Sequence, residues 1–239
     1  MKSALILCSG GLDSVTLAHY VKKNLRYNSI KLLFFNYGQR NMHSEKKYAK
    51  ICARDLGAKF IKVKLKNLDK ISPSLLTSNL EAKEVTLKSL KDTKKESSNW
   101  YVPCRNLIFL SYASAIAESL YIKENKEVEI FVGFKNEGKE SYPDTTQEFL
   151  DNLNKLNKSS TIAKPNIFAP LIKKDKEDIV LLGKKIGMNF KKTYSCYVGK
   201  RRHCGYCLAC RLRQEGFYWA NISDPTRYKI KLKDFRLAK

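Results

Sequence analysis

Short apolar runs alternate with helix-period segments along most of this chain, and that alternation is the strongest constraint on its fold. Residues 4–8 (ALILC) fit a buried strand that ends at a glycine turn, and residues 30–36 (IKLLFFN) form a second strand. Between them, Val15, Ala18 and Val21 recur at helical spacing over residues 13–23. Residues 45–56 read as a helix with Gly57 just past its end. Residues 59–65 (KFIKVKL) alternate charge and apolar side chains, the pattern of a half-exposed or edge strand. Leu107, Leu110, Ala113, Ala117 and Leu120 mark a strong helix from residue 105 to 119. A strand over 127–133, a helix over 147–158, an extended piece over 167–171 and a helix over 175–186, closed by Gly187, complete the series. Strands that alternate with helices in this way predict an α/β fold, a doubly wound parallel sheet covered on both faces. Two stretches fall outside the pattern. Residues 67–99 are rich in Ser, Thr, Lys and Asn and read as a partly ordered, lid-like excursion. After about residue 193 no long periodic segment is evident. The expected organisation is therefore a 1–192 domain with a 193–239 segment packed on it.

The chain has 239 residues, enough for a sizeable core, and 43% are hydrophobic. Its first residues run directly into a strand and a glycine turn, which does not match a signal peptide. Its apolar runs are too short to cross a bilayer. A cytoplasmic protein with no membrane partner is the expectation. The formal net charge of +23 invites a nucleic-acid reading. The lysines are scattered singly or in pairs, however, so a solvated surface is the preferred account.

Ser9-Gly10-Gly11-Leu12-Asp13-Ser14 lies between the first strand and the first helix. Two glycines let the backbone turn tightly and approach a ligand. Amides of the turn and helix start, with the helix dipole, then make an anion site, to which Ser9 and Ser14 add hydroxyl donors. No GKS or GKT follows, so this is not the Walker pattern. An SGG turn can also serve chain geometry alone. The complete SGGxDS hexapeptide directly after the first strand resembles the PP-loop ATP pyrophosphatases, which implies cleavage of ATP between its α and β phosphates.

Of seven cysteines, Cys8, Cys52 and Cys104 lie far apart, whereas Cys196, Cys204, Cys207 and Cys210 crowd together. Four thiolates at Cys-x7-Cys-x2-Cys-x2-Cys spacing can close a tetrahedral shell, the structural kind of zinc site. An iron–sulfur cluster is the rival. Lys200, Arg201, Arg202, Arg211 and Arg213 are expected to offset the thiolate charge, and His203 to be a bystander because the cysteines already fill the shell.

SGGLDS, NYGQR (residues 36–40), VPCRN (102–106), YPD (142–144), APL (169–171) and the closing SCYVGKRRHCGYCLACRLRQEGF together resemble the 7-cyano-7-deazaguanine synthase family over almost the full length. The resemblance implies ATP, Mg2+ and Zn2+ as cofactors, and a deazapurine carboxylate and ammonia as substrates, in a homodimer. The carboxylate is adenylated, ammonia displaces AMP to give an amide, and a second adenylation yields the nitrile. Asp13, Ser14 and Arg105 are then the catalytic candidates. Cys8, Ser9, Gly10, Gly11, Leu12, Asp13 and Ser14 would bind the nucleotide with Tyr37, Gly38, Gln39 and Arg40. Arg105, Asn106, Tyr142 and Asp144 would bind the substrate, and Cys196, Cys204, Cys207 and Cys210 the zinc. An aromatic face and a carboxylate suit a purine-like ring, although YPD is also turn chemistry. Two departures stand out. Cys104 replaces the family's glycine and reads as a small buried residue rather than a reactive thiol. The loop over 135–146 changes charge and gains Gly138. That loop leaves open a diverged enzyme that conjugates the carboxylate to another amine, such as the N-terminus of a partner protein. A PP-loop tRNA-modifying enzyme is the third reading, and the closed cysteine frame counts against it.

Overall fold

The structure, a computed structural model, describes residues 3–91, 93–135, 142–199 and 202–238. Five strands form one parallel sheet: β1 (Ser3–Leu7), β2 (Ser29–Asn36), β3 (Lys59–Lys64), β4 (Glu129–Phe131) and β5 (Ile167–Phe168). Their order is β3-β2-β1-β4-β5. β1 sits centrally, buried at every position, with Ser3 opposite Ser29 on β2 and Ala4 opposite Glu129 on β4. β3 pairs only with β2, and its alternating exposure is that of the edge strand its sequence predicts.

The helices are α1 (Leu12–Lys23), α2 (Met42–Leu56), the short α3 (Leu68–Ile71), α4 (Leu87–Lys91) and α5 (Lys94–Trp100), then α6 (Arg105–Glu124), α7 (Gln147–Ser160), α8 (Lys176–Lys185) and α9 (Leu208–Trp219). Side chains alternate across a strand, so β1 feeds two cores. Ala4, Ile6 and Cys8 meet α1, α2 and α8 on one face. Leu5 and Leu7 meet α6, α7 and the cysteine segment on the other. The chain leaves β1 toward β2 and β3, then returns to β4 on the opposite side. That reversal opens a crevice beyond the carboxyl ends of β1 and β4, the place where doubly wound sheets bind ligands.

Two stretches differ from their sequence reading. The described residues of the 67–99 stretch are packed into the protein rather than arranged as a lid. Leu68, Leu76, Ala82, Val85 and Leu90 are buried in the main core, and the Val85 amide donates to the Tyr206 carbonyl at 3.0 Å. Beyond residue 193, α9 is a twelve-residue helix that apolar periodicity concealed. The reason is that its buried face carries Arg211, Arg213 and Gln214. Arg211 and Arg213 are not arranged around the thiolates to offset them. Arg211 pairs with Glu84 at 2.6 Å and donates to the Val85 carbonyl. Arg213 pairs with Asp224 at 3.1 Å and donates to Thr193 Oγ1 and Ser195 Oγ. Arg202 is exposed, while Lys200 and Arg201 lie outside the described residues.

Arg213 and Asp224 are 1% and 3% exposed, so removing one strands the other's charge in the interior. Arg213→Met is expected to cost about 3–5 kcal/mol, read as a lower denaturant midpoint. Burial opposes ionisation of Asp224, but the Arg213 guanidinium, together with hydrogen bonds from the Tyr228 hydroxyl and the Thr226 amide, outweighs it and holds the carboxyl below its usual pKa. The pair's contribution is therefore complete above the ordinary aspartate value of about 3.9 and fades as pH falls below it. In Arg213→Met that share of the acid dependence should vanish.

Candidate active site and metal centre

The turn after β1 builds the floor of the crevice. Gly10 has φ +79°, and a Cβ there would lie 2.7 Å from the Ala49 amide nitrogen and the Glu45 carbonyl oxygen. Its role is to let α2 approach, which only glycine permits. Gly11 differs. It has φ −73°, and a Cβ there would meet only Ser9 Oγ at 3.2 Å and the Tyr194 carbonyl at 3.7 Å. Gly11 is the N-cap of α1 and offers no capping side chain, so the first amides of the helix remain available to an anion. Ser9 and Ser14 hydroxyls stand 3.3 Å apart across this turn.

Above the turn is a cavity of about 270 Å³ lined by Cys8, Ser9, Gly11, Asp13 and Ser14, with Tyr37, Gln39, Arg105, Asn106, Phe109 and Tyr142 among its walls. A second chamber of about 160 Å³ adjoins it. Ser9, Gly11, Asp13, Glu45, Tyr142 and Tyr197 line both. Leu12, Lys135, Lys176, Tyr194 and Ser195 belong to the second.

Arg105 opens α6, directly after Cys104. Cys104 has φ +54° and is exposed, not buried as its sequence suggested. A left-handed position at a helix start suits glycine, and Cys104 occupies it with its side chain exposed. Burial works against the Arg105 charge, but Tyr37 and Tyr197 beside it outweigh burial and raise its pKa. Tyr37, buried, is pushed up to about 12. Glu45 is raised by burial against the opposing pull of Gln39 and Arg105.

The other residues singled out from sequence take distinct places. Tyr142 lines both chambers, stacks on Tyr101 at 5.4 Å and donates to the Ser97 carbonyl at 2.6 Å. Asp144 stands behind the wall, where its Oδ2 accepts from the Asn106 amide at 3.1 Å. Gln39 lies in the wall, locked by Phe35, Tyr37 and Glu45. Gly38 packs on Asp69 and Arg40 reaches the carbonyls of Leu75 and Leu80, so neither lines the cavities. The altered loop residues Glu137, Gly138, Lys139 and Glu140 lie outside the described residues.

Two charged side chains escaped the sequence reading. Lys176 Nζ binds both carboxylate oxygens of Asp13, at 2.8 and 2.7 Å. Gly216 of α9 makes room for that lysine, since a Cβ there would lie 2.4 Å from Lys176 Cγ. Glu45 is the other. It lies one turn into α2, eight positions after Tyr37, with no motif of its own.

The four clustered cysteines are buried, with sulfurs all within 4.8 Å of one another. Cys204 and Cys210 sulfurs are 3.9 Å apart, close to the edge of about 3.8 Å for a tetrahedral zinc with 2.3 Å bonds. Backbone amides of Gly199 and Cys204 donate to Cys196 Sγ, and that of Cys207 to Cys204 Sγ. Hydrogen bonds from Cys204, Cys207 and Cys210 hold the Cys196 thiol low, while burial pushes Cys207 and Cys210 up. Four buried thiolates need a cation, and the arrangement fits a tetrahedral metal ion. His203 is outside this group; its Nε2 accepts from the Ser195 amide, and burial lowers its pKa to about 4. The centre is tied to the active-site floor. Tyr194 donates its amide to the Gly10 carbonyl at 2.8 Å, and Asn41 Nδ2 donates to the Cys196 carbonyl at 2.7 Å.

The family model described as "Queuosine biosynthesis protein QueC" matches residues 3–221. A 7-cyano-7-deazaguanine synthase of Methanothermobacter thermautotrophicus is 34% identical, over 95% of this chain and 99% of its own. Synthases of the same name from Methanosphaera stadtmanae and Thermoplasma volcanium are each 37% identical over 95% of this chain, and over 98% and 91% of their own. Among the described residues no helix is long and apolar enough to cross a membrane.

Proposed function

Because the chain belongs to the QueC family of queuosine biosynthesis proteins, we propose that it converts 7-carboxy-7-deazaguanine to 7-cyano-7-deazaguanine with ATP and ammonia. The observation that carries this reading is one crevice in which an uncapped helix start and the Ser9–Ser14 turn face Arg105 and Tyr142. The turn and the α1 amides take the triphosphate. Asp13 and Lys176 form a fixed ion pair beside it. Tyr142 offers a ring face to the deazapurine, and Arg105 offers a guanidinium to the substrate carboxylate or to the developing phosphate charge. Asp144 acts one layer back, holding the start of α6 so that Arg105 is aimed.

The reaction needs little covalent help from side chains. A carboxylate oxygen attacks the α-phosphate and pyrophosphate leaves. Ammonia then attacks the acyl carbon, and the bond to AMP breaks. A second adenylation at the amide oxygen, followed by loss of AMP and two protons from nitrogen, leaves the nitrile. Catalysis is largely positioning and charge stabilisation. When bound, magnesium would neutralise charge on the triphosphate and the leaving pyrophosphate. Zinc would be held by Cys196, Cys204, Cys207 and Cys210, with all four positions filled by sulfur, and serve the fold. Incubation with ATP, magnesium, ammonia and the carboxylate should yield free nitrile with two AMP per product by mass detection. An amide adduct on another amine, with no nitrile, would overturn the reading.

A further inference from the structure

The nitrogen that enters as ammonia sheds one proton when the amide forms and two more when the nitrile forms. Those protons need an acceptor within the crevice, and among the described residues few side chains there can serve. Neither chamber is lined by a histidine. Among the described residues the lining carboxylates are Asp13 and Glu45. Asp13 has both oxygens on the Lys176 ammonium, at 2.7 and 2.8 Å, so neither is turned to an incoming nitrogen. Glu45 is differently placed. Its Oε2 accepts from Gln39 Nε2 at 3.0 Å. That amide is fixed in turn by the Phe35 carbonyl and the Tyr37 amide. The carboxylate thus has one orientation, and it borders both chambers.

The geometry points to Glu45 as the proton acceptor for the amide- and nitrile-forming steps, a role that rests on the reaction proposed above. As the ammonia nitrogen bonds to the acyl carbon and the carbon–oxygen bond to AMP breaks, Glu45 takes one proton. It returns that proton to solvent or to departing AMP. In the second cycle it takes the two protons of the adenylated amide nitrogen one at a time, passing the first to solvent before it takes the second, while carbon–nitrogen multiple bonding forms and the carbon–oxygen bond to AMP breaks. The groups facing it are Arg105 from α6, Tyr37 just after β2, Asn41 before α2 and Gln39. Burial dominates among these influences and makes Glu45 a stronger base than a solvated carboxylate.

The first adenylation needs no base, which separates this role from a structural one. In Glu45→Gln, carboxylate-dependent exchange of labelled pyrophosphate into ATP should fall less than about threefold, while amide formation from ammonia falls about 10²–10³-fold. The wild-type amidation rate should show an ascending limb above the ordinary glutamate range, and the variant should lose it. Glu45→Asp, which keeps a carboxylate one methylene shorter, should recover part of the amidation rate. Parallel loss of exchange and amidation in both variants would make Glu45 a packing residue and overturn the proposal. So would amidation at the wild-type rate in Glu45→Gln. Absence of exchange and nitrile in the wild-type protein would instead strike the reaction assignment itself.

Discussion

Gly11→Val is expected to leave a folded protein that releases almost no pyrophosphate. The backbone at Gly11, with φ −73° and ψ 166°, is extended and admits any residue. The one tight contact of a Cβ there is 3.2 Å to the Ser9 hydroxyl, an exposed side chain that can give way, so the variant should keep its melting temperature to within a few degrees. Gly11 lines both chambers, however, so the added methyls are expected to crowd the place where the triphosphate approaches the backbone. Displacing a reacting phosphate by even 1 Å costs about 10²-fold, so a loss of at least that size is expected in carboxylate-dependent pyrophosphate release. Gly10→Val is the internal contrast. Its positive φ and the 2.7 Å approach of α2 make it a folding position, and that variant should be lost as insoluble protein. Wild-type turnover in soluble Gly11→Val would remove the turn from the active site.

Replacement of Cys210 by serine should unfold the segment from residue 193 onward rather than tune the protein's catalysis. The sulfurs lie inside the larger core cluster, alongside Leu5, Leu7 and Leu208. Loss of one ligand opens the shell and leaves three buried thiols without their cation. Metal binding at such sites carries about 10–16 kcal/mol of apparent free energy, which exceeds or rivals the whole stability of a typical domain. Exposure to a strong chelator should have the same effect. Because Tyr194 and Asn41 link this segment to Gly10 and α2, the active-site floor should loosen with it. Metal analysis of the intact protein should return about one zinc per chain. Iron with acid-labile sulfide, or an unchanged melting curve in Cys210→Ser, would refute this account.

Those two predictions rest on features that are local in sequence. The α/β alternation is legible because each buried strand and amphipathic helix writes its own period into consecutive residues. The anion turn is legible because two glycines, two serines and a strand–helix junction occupy six positions. The cysteine frame is legible because its ligands, like those of most knuckle sites, are close along the chain. What required the fold was everything set by contact between distant segments. Helix α9 buries arginines and a glutamine, so its inward face reads as polar until Glu84, Asp224 and the Leu232 amide are brought to it. The 67–99 stretch looked loose because its apolar residues follow no period, yet Leu68, Leu76, Ala82, Val85 and Leu90 all join one core cluster. Asp144 carries its ring-binding appearance in a YPD triplet, yet the fold turns that carboxylate to the α6 amide. Lys176 reaches Asp13 across 163 positions, and Glu45 gains its place only where α2 closes over Gly10. Short-range hydrogen bonding and periodicity are thus determined by the sequence read in order. The pairing and basicity of the charged groups in the crevice were decided only by tertiary packing, because burial and neighbouring charge exist only once remote segments have met.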